Sequence, residues 1–150
     1  MTDLDEILYN AVTADTSLMT VTSGRIKSTC FEVSPEEQDN TPLPYIIVSD
    51  DGLTNDQTTK DNTWESSEDR VQASVEVGAK SPKQVKQLIR QVRKAVYRYV
   101  SDMKAEDVPY LLNVQTSGVA WDWTKPCYFS SVSYQCIVDN NIEDDEQEEQ

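Results

Sequence analysis

The chain has 150 residues, with 27 acids against 13 lysines and arginines, no histidine, and a formal net charge of -14. That length predicts one domain with one core, and the missing imidazole excludes Ser-His-Asp catalysis and the usual zinc ligand sets. The acidic excess argues against general affinity for nucleic acid or anionic membrane.

The first residues, MTDLDEILYN, carry acids where a secretory signal would be basic, and no apolar run approaches the ~18 residues of a membrane span. A cytoplasmic place of synthesis is expected. Thr2 is the predicted cap of a first helix, in which Leu4, Ile7, Leu8, Ala11 and Val12 recur at helical spacing and which ends near Ala14. A polar connection then leads to a strand within GRIKSTCFEV, residues 24 to 33, and SPEEQDNTPLP follows as an exposed loop. PYIIVSDDG, residues 44 to 52, reads as a short apolar strand. Residues 52 to 69 are polar and acidic without a sustained period, which predicts a long loop or the solvated end of a long hairpin. RVQASVEVGAK then alternates: Val71, Ala73, Val75 and Val77 face one way, Gln72, Ser74 and Glu76 the other.

The next segment, SPKQVKQLIRQVRKAVYRYV, concentrates cations and holds no acid. Ser81 as N-cap, Pro82 at the first helical position and Gln84 three residues after the cap specify a helix start. On a wheel of about 100° per residue, Val85, Leu88, Ile89, Val92, Val96, Tyr99 and Val100 fall within roughly 140°, a face that covers a sheet. Lys83, Lys86, Arg90, Arg93, Lys94 and Arg98 fill the other side, with Tyr97 near its middle. A solvated polar face is the ordinary reading of such a run. Against it, cations of one sign without acids one turn away repel each other, and Tyr and Arg together are enriched at protein interfaces. These seven residues are therefore the candidate subunit or partner interface.

Two closing strands are expected around NVQTSGVAWDW (113 to 123) and CYFSSVSYQCIVD (127 to 139), joined at Thr124, Lys125 and Pro126. Cys127 and Cys136 lie nine apart in one strand, so they point to opposite faces and cannot bridge; with Cys30 they read as buried free thiols. The predicted order is α-β-β-β-α-β-β. It describes an α+β fold with a mainly antiparallel sheet of about four to five strands and two helices on one face. Residues 1 to 140 form the single expected domain. EDDEQEEQ, at 143 to 150, holds six acids and no apolar side chain, so 141 to 150 reads as a disordered acidic tail; without those charges the rest still carries about -8.

Chemistry finds little support. Aligning Gly52 with the glycine of an EF-hand loop puts Ile47 at the first ligand position and Thr58 at the last, where carboxylates are needed. The plausible strand acids for a metal nuclease are Glu76 and Asp122 alone. Gly24, Gly52, Gly78 and Gly118 are not clustered into a phosphate loop. Trp121 and Trp123 share a strand face and suit core packing or a subunit contact better than a platform for single-stranded nucleic acid, given the few cations nearby. No catalytic residue, cofactor or metal is expected.

In order along the chain, a short helix, GRI (24 to 26), a Pro-containing loop, PYIIV (44 to 48), a long hairpin ending in VQASVEV, a helix of the SPKQVKQLIRQVRKAV type and a terminal hairpin resemble the tail-completion, or tail-terminator, family of long-tailed bacteriophages and prophages. The similarity covers most of residues 2 to 139. It implies a non-enzymatic virion part, assembled in the host cytoplasm, that caps the head-proximal end of the tail tube as a ring, commonly of six subunits. It further implies contacts with itself, the tube protein and head-completion or connector proteins, with DNA only as passing cargo and no membrane. The acidic extension and the long 50 to 69 loop depart from the family's pattern. An acidic lumen would keep passing phosphates from sticking, which makes Asp50, Asp51, Asp56, Asp61, Glu65, Glu68 and Asp69 the candidate lumen- or tube-facing acids. Two rival classes are a monomeric acidic binding module of the DNA-mimic type, from a prophage, and a metal-dependent hydrolase.

Overall fold

A computed structural model describes residues 3–28, 42–55, 68–124 and 126–139. Among the described residues the fold is α+β: a mixed six-stranded sheet with three α-helices. Helix α1 (Leu4–Ala14) buries all five of its predicted apolar positions. Its N-cap is Asp3, which makes no side-chain cap bond, while Asp5 and Glu6 sit by the positive end of the helix dipole. Thr2, the expected cap, lies outside the described residues.

The polar connection expected after α1 is instead a second helix, α2 (Thr16–Thr22). Asp15 makes the junction. Its N–H closes α1 on the Val12 carbonyl, and its carboxylate accepts from Leu18 N at 3.0 Å to open α2. The sequence TSLMTVT has the low helix propensity of β-branched and hydroxyl residues, so burial of Leu18 and Thr22 must stabilise what local preference does not. Ser23, in the left-handed region, and Gly24 at φ +76° turn the chain out of α2.

Strand β1 (Ile26–Ser28) falls within the expected 24 to 33 strand, of which residues 29 to 33 lie outside the described residues. It pairs with β2 (Tyr45–Thr54) in parallel, Ile26 opposite Ile46, which makes the sheet mixed, while every other strand pairing among the described residues is antiparallel as expected. The Arg25 guanidinium ties the starts of these two strands together, donating to the carbonyls of Leu43 and Pro44 at 3.1 and 3.2 Å. β2 runs two residues beyond the predicted Gly52 and forms a long hairpin with β3 (Glu68–Ala79). A bulge between Asp50 and Gly52 bends it, with Gly52 at φ +90° and its N–H donated to Asp50 Oδ1 at 2.8 Å.

Helix α3 (Pro82–Ser101) follows, then a single 3₁₀ turn (Ala105–Asp107). The strand expected at 113 to 123 is two: β4 (Tyr110–Thr116) and β5 (Ala120–Asp122), both paired with β6 (Cys127–Asp139). Ser117 interrupts them, giving its N–H to Ser131 O and packing its hydroxyl against that of Ser130 at 3.2 Å. The strand order is β1-β2-β3-β6-β4, with β5 continuing the β4 border along β6.

Alternation assigns the two sheet faces as predicted. Val71, Ala73, Val75 and Val77 of β3 sit beside Val132, Tyr134 and Cys136 of β6 and, with Ile46 and Val48 of β2, join the buried faces of α1 and α3 in one core. Each fully buried Leu, Ile or Val there contributes about 1.5–3 kcal/mol. The opposite face carries Ser49, Gln72, Ser74, Ser131, Ser133 and Gln135. At its β1 end, Tyr45 lies across Gly78, where a Cβ would collide with the ring. The Tyr45 phenol donates to Glu76 Oε2 at 3.2 Å and sits 3.9 Å from Cys127 Sγ. Burial, then the Glu76 carboxylate, raise that phenol above its ordinary pKa, so it stays a donor. Cys127 and Cys136 are buried, not bridged to each other, and on opposite faces, as the spacing requires. Cys30 and the tail at 141 to 150 lie outside the described residues.

Candidate functional site

Helix α3 begins where the sequence places it: Pro82 opens it, and Ser81 Oγ accepts from Gln84 N at 3.2 Å. Its far end closes when Asp102 N–H reaches the Arg98 carbonyl at 3.1 Å. Val85, Leu88, Ile89, Val92, Ala95 and Val96 are buried, with Tyr99 and Val100 partly so. α3 covers β3 and β6, while β4 overhangs beyond it as the sheet's last strand. The overhang creates a groove.

That groove, of about 490 Å³, has Val96, Val100, Leu112, Val114 and Tyr134 among its apolar lining and Arg90, Arg93, Lys94 and Arg98 around it. Among the described residues no acid lines it. Tyr97 stands at its rim, 76 % exposed, and Val114 on β4 is 39 % exposed. Tyr134 forms the seam between floor and rim. Burial pushes its phenol up to about 12, while the positive charge of Arg93 pulls the other way.

Five of the seven sequence-predicted interface residues therefore converge: Arg90, Arg93, Lys94, Tyr97 and Arg98. Lys83 and Lys86 stand on the same helix outside the groove, toward its start. Among the described residues no ion pair or hydrogen bond engages the side chain of any of the six cations. Lys86, Arg90, Lys94 and Arg98 also follow one another at i,i+4, and each such like-charge pair costs roughly 0.2–0.5 kcal/mol. Leu112, Val114 and Tyr134 were not singled out from the sequence. Their strands show apolar alternation, but only the sheet order places them beside the cations.

The candidate acids lie across the sheet. Asp50 and Asp51 are exposed on β2, and Glu68 is exposed at the start of β3. Asp69 is buried instead, its Oδ1 accepting from Asn55 Nδ2 at 2.7 Å, and that Asn55 amide also reaches the Glu68 carbonyl at 3.3 Å. Asp69 thus ties the two strands together at the loop end of the hairpin. Asp56, Asp61 and Glu65 lie outside the described residues.

The strand acids do not converge. Glu76 lies opposite Ser131 and Asp122 opposite Cys127, on strands flanking β6 and four positions apart along it, roughly 13 Å at the usual rise. The Asp122 carboxylate accepts from Thr124 N and Oγ1 at 3.0 and 2.7 Å, shaping the turn into β6. Among the described residues no three metal-ligating side chains cluster. Trp121 makes edge contacts with Tyr128 at 4.8 Å and Trp123 at 5.9 Å. Trp123 is 87 % exposed, so it is surface, not core.

No helix among the described residues is long and apolar enough to cross a membrane. Neither a protein-family model nor a curated protein sequence matches the chain.

Proposed function

We propose that this chain is a structural assembly subunit of the kind its resemblance to tail-completion proteins implies: a non-enzymatic virion component that forms a ring at the head-proximal end of a tail tube and contacts the head-completion proteins. The observation that carries the reading is lateral asymmetry. The β4 border presents an apolar groove rimmed by cations that make no ion pair among the described residues, and the β2–β3 hairpin, on the other side of β6, presents Asp50, Asp51 and Glu68. Surfaces that differ in this way join head to tail between copies, and such contacts close into rings when the rotation allows. An edge strand beside the groove adds backbone donors and acceptors to the contact.

Light scattering across a concentration series, at low and high salt, with and without purified tail tube protein, tests it. A ring, or a tube complex that weakens as salt screens the contact, is expected. A monomer that ignores tube protein under every condition would refute the assembly reading in favour of a monomeric acidic module that occupies a basic partner.

A further inference from the structure

The groove has a candidate occupant within the same chain. β6 leaves the described structure at Asp139, two residues past Ile137, which lies opposite Tyr110 at the start of β4. Val114, in the groove, lies opposite Tyr134. From Asp139 back to that level is five residues along β6, about 17 Å at the usual strand rise. Residues 140–150, NNIEDDEQEEQ, reach about 36–40 Å when extended, enough to turn back past the end of β4 and run along the groove.

The chemistry matches as well as the reach. The segment carries one apolar side chain, Ile142, followed by six acids, and no cation. Among the described residues the groove offers an apolar floor, four cations and no acid. Beside it runs the outer edge of β4, the last strand in the sheet order, where an extended segment can add its backbone hydrogen bonds. A tethered segment acts at millimolar effective concentration, so even a weak contact is populated.

We infer that residues 140–150 dock into the groove between α3 and β4 of their own chain, Ile142 on the apolar floor and the acids against Arg90, Arg93, Lys94 and Arg98. The docking does not rest on the assembly reading above.

The test compares the full chain with one ending at Asn141, which keeps β6 whole and removes Ile142 and the acids. The probe is a fluorescein-labelled peptide of residues 140–150, followed by anisotropy. The shortened chain binds the peptide, the full chain binds it at least about tenfold more weakly because its own segment competes, and moderate salt weakens both. In the shortened chain, Arg90→Glu with Arg93→Glu abolishes binding, and Arg90→Gln with Arg93→Gln weakens it, both with unchanged circular dichroism. Absence of peptide binding to the shortened chain, or equal binding to both chains, overturns the inference. So does a full chain whose mass rises with concentration while the shortened chain stays monomeric, because the segment then docks between copies. If the peptide binds as stated but the full chain ignores tube protein and stays monomeric, the assembly reading alone fails.

Discussion

The two faces of α3 are made of the same twenty residues and do opposite things. The apolar face is enclosed by β3, β6 and α1, and its side chains stabilise the fold through burial. The basic face makes no ion pair or side-chain hydrogen bond among the described residues and stacks like charges one turn apart. One face therefore adds to stability and the other subtracts from it. Such a self-repelling surface beside an open apolar groove is the observation behind the acidic occupant proposed above.

The comparison breaks most visibly on the buried side. Leu88→Ala leaves a cavity between α3 and the sheet and is expected to cost about 2–5 kcal/mol, measured by urea unfolding. A loss below about 1 kcal/mol would mean that this face is not the seat of stability. Ser81→Ala removes the cap that starts the helix and should cost about 1 kcal/mol, with little effect on peptide binding in the groove.

Tyr134, at the seam, responds to pH. Its phenol is raised from about 10 to about 12 in the folded chain. The stabilisation this carries is complete below the unfolded value near pH 10 and is lost as pH rises through about 12, because the unfolded chain releases that proton first. Stability should fall across that window, and Tyr134→Phe should flatten the fall; an identical pH profile in the variant would show that other groups govern it.

The smallest expected effect on stability is the sharpest test of the comparison. Arg90→Glu with Arg93→Glu places an acid between Lys86 and Lys94, turning two repelling pairs into attracting ones. Thermal stability should stay unchanged or rise by up to about 1 kcal/mol. A loss of several kcal/mol would show that these cations support the fold.

Much of the fold was legible because its determinants are local. The Ser81-Pro82-Gln84 start, the apolar face of α3 and the strict alternation of β3 are periodicities that need no knowledge of neighbours. α2 was not legible, since TSLMTVT has poor helix propensity and is held by the burial of Leu18 and Thr22. Nor was the break between β4 and β5, which depends on Ser117 meeting β6 across the sheet. The acids divided in the same way. Their exposure at Asp50, Asp51 and Glu68 fits their character, whereas the burial of Asp69 depends on Asn55 arriving from the facing strand.

By itself, the sequence determined that the cations share one side of a helix, because helical spacing alone sorts side chains around an axis. It could not determine what stands beside them. Only the tertiary structure brought Leu112, Val114 and Tyr134 under that face, because the position of β4 outside β6 is set by pairing between strands distant in the chain. The same sheet order places the acidic hairpin on the far side of β6 and brings the last described residues of β6 beside the start of β4.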